Sequence, residues 1–262
     1  MKKRIDIAVK EKYNISRDKA KEIIEKGGVK LNGQVIKKAS AMAEESDEII
    51  LDNDMVIPYV GRGGLKMEGA VKIFGIDIRD KVCMDIGAST GGFTDCMLRF
   101  GAKKVYAVDV GNGQLAEKLK NDERVISMEN TDIRDLKKED IPDEIEFIGT
   151  DVSFISLEKV LPKADEILKN GGEMAVLVKP QFEAGREYVG KGGIVKDIKI
   201  RKRVVKKISD FAGQTGFEVC GIAVSPIKGS KGNTEYLMYI RKSGKESEES
   251  RIEKMIKELF EI

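Results

Sequence analysis

The chain has 262 residues, 41% of them hydrophobic and 35% charged, and a net charge of +2, a balance that suits a globular protein with one large core or two smaller ones. It contains no histidine, and its three cysteines, Cys83, Cys96 and Cys220, are scattered; this excludes Ser-His-Asp hydrolysis, His-ligated metal chemistry and a disulfide framework, and no metal is expected. No apolar run approaches the roughly 18 residues of a membrane helix, and the charge-interrupted start MKKRIDIAVKEKY does not read as a secretory signal, so a cytoplasmic protein without a membrane partner is expected.

Charge is unevenly spread. Residues 1–40 carry twelve Lys/Arg against five Asp/Glu, which points either to a polyanion partner or to a solvated helix face. Two helices and short strands are expected there. In NISRDKAKEIIEKGG, Ser16 is placed to cap a helix whose apolar stripe is Ala20, Ile23 and Ile24 and whose stop is Gly27–Gly28. VKLNGQV then predicts two strands about an Asn32–Gly33 turn. These residues at these spacings resemble the alpha-L RNA-binding motif of the S-four ribosomal-protein type. The resemblance implies RNA contact through Arg4, Ser16, Arg17, Lys19, Lys30 and Asn32, and Arg62 is added beyond the linker. The expected boundaries are a head at 1–52, a linker at 53–63 and a body at 64–262.

The body alternates strand and helix. KVCMDI, KKVYAVD, RVISME, EIEFIGTD, EMAVLVK, FEVCGIAVS and EYLMYIRK read as strands. FTDCMLRF, SLEKVLPKADEILKN and DIKIRKRVVKKISDFAG read as helices between them, and SEESRIEKMIKELFEI as a terminal packing helix. Repeated βα units imply a mostly parallel, doubly covered sheet. The last two strands have no helix between them, so the final strand is expected to be antiparallel. The fold class is α/β, a Rossmann-like sheet of seven strands with the last antiparallel, preceded by a small α+β RNA-binding domain.

DIGASTGGFTD, residues 85–95, follows the first body strand and opens a helix with Phe93, Cys96, Met97 and Phe100 on one side. Its glycines are Gly87, Gly91 and Gly92, whereas a dinucleotide turn needs a glycine where Ser89 stands. A Walker loop needs a lysine before Thr94 and has none. The D-x-G-x-x-x-G spacing instead resembles the S-adenosyl-L-methionine turn of Rossmann-fold methyltransferases, where bare backbone lets a ligand without pyrophosphate lie close. The expected cofactor residues are Asp85, Gly87, Ala88, Ser89, Gly91, Gly92 and Phe93, with Asp109 after the second strand for the ribose and Asp132 after the third for the adenine edge.

The body lacks the Asn/Asp-Pro-Pro-aromatic turn of base-nitrogen methylation and a Pro-Cys nucleophile for pyrimidine carbon. Lys66 in YVGRGGLKM, Asp151 in GTDVSF, Lys179 in LVKPQFE and Glu235 in GNTEYL resemble the Lys-Asp-Lys-Glu tetrad of FtsJ-like (RrmJ-type) ribose 2′-O-methyltransferases. YVGRGGLKM, DIGASTGGFTDCMLRFGAKKVYAVDVGNGQLAEKL, DVSFISL, LVKPQFEAGRE, VGKGGIVKD and SPIKGSKGNTEYL are similar to the TlyA (haemolysin A-like) family, which joins such a body to an alpha-L head. Leu65 stands where a histidine is common in that family, and Gly61 where a serine is. The resemblance implies S-adenosylmethionine-dependent methylation of cytidine 2′-hydroxyls in ribosomal RNA, with ribosomal RNA or ribosomal subunits as partner.

The resemblance also makes Lys66, Asp151, Lys179 and Glu235 the catalytic set. Lys179 would stand nearest the acceptor hydroxyl, as base or as stabiliser of the developing alkoxide, with Asp151 holding it. The two carboxylates favour an ammonium, while burial and the second lysine favour a neutral amine. The glycine-rich segment AGREYVGKGGIV is expected to be a mobile lid, and Lys191, Lys196 and the basic helix after it could meet RNA phosphates. Rival readings are a non-catalytic RNA-binding factor, a membrane-lytic protein, and a nicotinamide oxidoreductase that the missing second glycine disfavours.

Overall fold

The computed structural model describes residues 2–13, 15–52, 58–244 and 248–261. They divide into two compact units, Met1–Pro58 and Tyr59–Ile262.

The first unit runs β1 (Lys3–Arg4), α1 (Ile5–Tyr13), α2 (Arg17–Glu25), β2 (Val29–Leu31), β3 (Gln34–Ile36), β4 (Met42–Ala43) and β5 (Ile49–Leu51). The Ser16 hydroxyl accepts from Lys19 N at 3.2 Å and caps α2. Asn32 and Gly33 both take positive φ, +50° and +80°, the left-handed pair that a tight β2–β3 hairpin requires. Helix faces carrying Ile5, Val9, Ala20, Ile23 and Ile24 close on Val29, Ile49 and Leu51 to form the core. β1, β4 and β5 were not anticipated; they are two or three residues long, too short for an alternating pattern to register.

The second unit is a seven-stranded sheet in the order β11-β12-β10-β9-β6-β7-β8. Its strands are β6 (Val82–Ile86), β7 (Lys104–Val108), β8 (Val125–Met128), β9 (Ile145–Thr150), β10 (Leu168–Val178), β11 (Phe217–Val224) and β12 (Tyr236–Lys242). The neighbours β10·β9, β9·β6, β6·β7 and β7·β8 pair in parallel, and β12 alone runs antiparallel to both its neighbours, β10 and β11. The helices are α3 (Gly63–Phe74), α4 (Gly92–Arg99), α5 (Glu117–Lys120), α6 (Leu161–Ile167), α7 (Pro180–Glu183), α8 (Ile198–Gln214) and α9 (Glu249–Phe260). α9 buries Ile252 and Ile256 against the core, as its helical spacing requires. The chain leaves β6 toward β7 and β8, then returns to place β9 on the other side of β6. The strand order therefore reverses at β6, and a crevice opens at its carboxyl end.

Two expectations are corrected. Residues 59–63 belong with the second unit rather than to a linker: Tyr59 is 8% exposed, and Val60 N donates to Asp95 Oδ2 at 2.9 Å. Lys66 thus sits on helix α3, whose buried Met67, Ala70 and Val71 follow helical spacing that the glycines at its start obscure. Residues 53–57 of the expected linker lie outside the described residues. The helix expected over 156–170 ends at Ile167, because Leu168 pairs with Ile145 and starts β10. Its register then shifts to Glu173–Phe147, across Gly171 at φ +75°.

Candidate active site

β6 delivers the glycine turn into the crevice. Gly87 N and Ala88 N both donate to Val108 O, at 2.9 and 3.1 Å, which fixes the turn to the next strand. Gly87 is at φ +84°, and a Cβ there would lie 3.0 Å from the Asp151 carbonyl oxygen, so only glycine fits. Ser89, in the position of the missing glycine, also takes a left-handed φ of +49°. Gly91 and Gly92 serve packing. Their Cβ atoms would come within 2.2 Å of Leu119 Cδ1 and 2.8 Å of Gly64 N. Phe93, 3% exposed, packs over Gly149, where a Cβ would be 2.9 Å from its ring.

Three carboxylates gather around this turn. Asp85 is fully buried; its Oδ2 accepts from Thr94 N at 2.8 Å and Thr94 Oγ1 at 2.7 Å. Its Oδ1 has no partner among the described residues. Burial pushes the Asp85 carboxyl up to about 7 despite the Thr94 hydrogen bonds, with Asp151 and Asp109 pushing the same way. Asp109 accepts from Ser89 N at 2.8 Å and Gly111 N at 2.7 Å. Asp132 is claimed by its neighbour: Arg134 Nε donates to Oδ1 at 3.0 Å, and this guanidinium holds the carboxyl below its usual range. Asp109, Asp132, Ser89 and Gly87 line one cavity of about 510 Å³, with Val110 69% exposed at its wall. Asp85, Ala88, Gly92 and Phe93 line a smaller one of about 200 Å³ over the turn. An unpartnered buried carboxylate oxygen beside a backbone too close for any Cβ fits a ligand that carries a cation.

Beyond the turn, the four tetrad residues meet. Lys66 Nζ lies 2.8 Å from Glu235 Oε2 and 3.2 Å from Asp151 Oδ2. Lys179 Nζ lies 2.5 Å from Asp151 Oδ1. Lys66 and Lys179 are each 7% exposed and Glu235 2%, so two ammonium and two carboxylate groups balance out of bulk water. Their positions follow from the fold: Asp151 and Lys179 end the adjacent strands β9 and β10, Glu235 precedes β12, and α3 brings Lys66 across. A third cavity, of about 380 Å³, opens from Lys66, Lys179 and Glu235 outward to Arg62, Lys228 and Lys231. Asp151 and Lys179 also line the cavity over the turn, so the ring stands where the cavities meet.

Several site residues were not anticipated. Thr94 holds Asp85, and Gln181 Nε2 donates to Glu235 Oε1 at 3.0 Å. Ser153 Oγ accepts from Lys179 Nζ at 2.8 Å. Phe154 is 90% exposed at φ +63°, tilted against Phe182 with ring centroids 4.9 Å apart. Behind this loop, Glu183 accepts from Ser156 Oγ at 2.7 Å and Leu157 N at 2.8 Å. Burial pushes its carboxyl up. The sequence shows only a phenylalanine three residues after Asp151; its exposure belongs to the fold. The expected lid is tied down at one end, since Asn233 Nδ2 donates to Gly193 O at 2.8 Å and its Oδ1 accepts from Val195 N at 3.0 Å.

Among the expected RNA contacts, Arg4 and Arg17 are engaged inside the head: both Nε atoms lie 3.0 Å from the fully buried carboxylate of Asp6. Asn32 is likewise tied to Asp47 and Glu48, each at 2.8 Å, and Lys19 pairs with Glu22 at 2.9 Å. Lys30 is exposed on β2. In the second unit, Arg62 donates to Lys228 O at 2.9 Å. Among the described residues no helix is long and apolar enough to cross a membrane, and no three His, Cys, Asp or Glu side chains group to hold a metal ion.

Known proteins share this arrangement. The FtsJ-like methyltransferase family model matches residues 59–242, and the S4 domain model matches residues 3–49. The chain is 46% identical to the protein named Hemolysin A of Brachyspira hyodysenteriae, over 87% of this chain and 95% of that one. It is 39% identical to the 16S/23S rRNA (cytidine-2'-O)-methyltransferase TlyA of Mycobacterium tuberculosis, over 86% and 84%. A solved Streptococcus thermophilus structure bearing a hemolysin name superposes with a TM-score of 0.77 at 40% identity, covering 98% of this chain and 95% of that one. The body and the small head each match a family model: the chain belongs to the FtsJ-like methyltransferase family, in its TlyA (haemolysin A) branch.

Proposed function

We propose that this protein is an S-adenosylmethionine-dependent methyltransferase acting on a ribose 2′-hydroxyl, that of cytidine, in ribosomal RNA within the cytoplasm. The observation that carries the reading is the Lys66–Asp151–Lys179–Glu235 ring at the meeting point of the turn cavity and the cation-rimmed cavity. The names of the curated relatives support the substrate.

The donor side fits S-adenosylmethionine. Asp85, through its unpartnered Oδ1, would take the α-ammonium; Asp109 would take the ribose hydroxyls, exchanging its bonds from Ser89 N and Gly111 N. Val110 and Ile133 would flank the adenine, with Asp132 at its edge. When bound, the cofactor supplies a methyl group on a sulfonium that needs no further activation.

What remains for the chain is placement and proton management. Lys179 would hold the acceptor oxygen, and Asp151 orients Lys179 and Lys66 together. Lys66 and Glu235 complete a charge-balanced ring; the hydroxyl proton would pass to one of its carboxylates, leaving the ring one positive charge as the sulfonium gives up its own. Phe154, exposed beside the acceptor cavity, offers a face for the target base. Arg62, Lys228 and Lys231 suit flanking phosphates, and the head, with Lys30 and the outward N–H groups of Arg4 and Arg17, would dock folded RNA. The test is methyl transfer from labelled cofactor to each purified ribosomal subunit, followed by nucleoside analysis. Lys179→Ala should slow formation of 2′-O-methylcytidine by about 10²- to 10⁴-fold; undiminished product would overturn the assignment.

A further inference from the structure

Lys179 has more partners than the tetrad supplies. Its Nζ contacts Asp151 Oδ1 at 2.5 Å and donates to Ser153 Oγ at 2.8 Å, and the Phe182 ring centroid lies 5.7 Å away. An ammonium has three N–H groups. Ser153 accepts one of them, whereas Asp151 Oδ1 is a close ionic neighbour that accepts no hydrogen bond among the described residues. Ser153 also borders all three cavities around the site, so its hydroxyl stands where donor and acceptor sides meet.

The loop that carries Ser153 is built rather than slack. It begins at Asp151, whose N donates to Ile86 O at 3.1 Å, and passes through Phe154 in the left-handed region at φ +63°, a conformation that costs free energy for a bulky residue. It is then held from behind by Glu183 through Ser156 and Leu157. Glu183 ends the short helix α7 that begins directly after Lys179. The same two strand ends are therefore bridged twice, by Lys179 to Ser153 in front and by Glu183 to Ser156 and Leu157 behind.

We infer that Ser153 is a positioning residue for methyl transfer: its hydroxyl takes one N–H of Lys179 and thereby aims another at the acceptor oxygen. Asp151 cannot do this alone. It is shared with Lys66, and an ion pair is weakly directional, so Lys179 held only by Asp151 could pivot about it. A hydroxyl fixed by a constrained loop removes that freedom, and a misplacement of about 1 Å at a reacting group costs roughly a hundredfold in rate. The inference rests on the reading of Lys179 given under Proposed function.

The experiment compares wild type, Ser153→Ala and Ser153→Thr in steady-state methyl transfer to ribosomal subunits, together with NMR of the protein carrying isotope-labelled lysine. Ser153→Ala should lower kcat by about 10- to 100-fold, with KM for the cofactor and for RNA within about twofold. Ser153→Thr, which keeps the hydroxyl, should recover kcat to within about threefold. In the spectra, the Lys179 ammonium protons should lose exchange protection in Ser153→Ala and keep it in Ser153→Thr. A Ser153→Ala kcat within twofold of wild type, equal impairment of both variants, or an unchanged Lys179 signal overturns the inference. Wild-type protein that methylates no ribose would instead sink the functional reading, and the Lys179 signal would then decide the role of Ser153 by itself.

Discussion

Asp85→Asn should stabilise the ligand-free protein at neutral and alkaline pH while weakening cofactor binding. Asp85 is fully buried, with one oxygen held by Thr94 and the other without a protein partner, and its carboxyl is raised from 3.8 to about 7. A raised carboxyl binds its proton more tightly folded than unfolded. Its penalty is therefore absent below the unfolded value near 4, grows as pH rises through the interval, and is complete above about 7. Three pH units at about 1.4 kcal/mol each put that penalty on the order of 4 kcal/mol. Asparagine carries no charge to desolvate, but it would bury an amide N–H where Oδ1 now lies, which costs about 1–3 kcal/mol. The variant should thus gain about 1–3 kcal/mol over wild type at pH 8 and lose that advantage by pH 5. Urea denaturation of ligand-free protein at pH 5, 6 and 8, followed by near-UV circular dichroism and with m held as a check, measures this. Calorimetric titration with S-adenosylmethionine at pH 7.5 should show at least tenfold weaker binding. A stability difference that does not change between pH 5 and 8 would refute the assignment of the raised carboxyl.

Lys179→Ala should lower kcat for 2′-O-methylation by about 10²- to 10⁴-fold, with cofactor affinity by calorimetry within threefold of wild type; a loss shared equally by binding would recast Lys179 as a cofactor ligand. Gly92→Ala puts a Cβ 2.8 Å from the Gly64 backbone nitrogen, where neither chain can yield cheaply. It should cost about 1–3 kcal/mol, visible as a Tm drop of roughly 5 °C in differential scanning calorimetry, and a wild-type Tm would show that the α3–α4 contact is loose. Asp6→Asn removes the buried carboxylate that Arg4 and Arg17 share. Because these guanidiniums depress the Asp6 carboxyl, its stabilisation is complete above the ordinary value of 3.8 and lost as pH falls through the depressed one. The variant head should melt roughly 5 °C lower at pH 7 and match wild type in strong acid; equal melting at both pH values would make the Asp6 pairs cosmetic.

Much of the candidate site's arrangement was legible in the sequence. The turn residues Asp85 and Gly87 could be found because glycine and a carboxylate after a strand have few other uses together, and the spacing alone removed the phosphate-binding loops. Asp151 and Lys179 were legible because strand ends of a parallel sheet lie on one edge. Ser153, Gln181 and Asn233 were not, since a polar residue in a loop acquires meaning only from what stands opposite it. Arg4 and Arg17 show the converse: a basic patch on the page became, in three dimensions, a clamp on a buried aspartate. Residues 59–63 were mistaken for linker because two glycines mask a helix start that packs against α4.

Periodicity, turn chemistry and the missing histidines belong to the chain by itself, because each is set by neighbours within a few residues; from them come the two-part organisation, the seven strands of the larger sheet and the exclusion of a phosphate-binding turn. Tertiary structure alone decided which oxygen of Asp85 is left without a partner and which groups crowd Lys179. Those properties depend on distances of about 3 Å between residues far apart in the chain, such as Lys66 and Glu235, and on burial, which sets how strongly a charge is felt. No local pattern encodes either one.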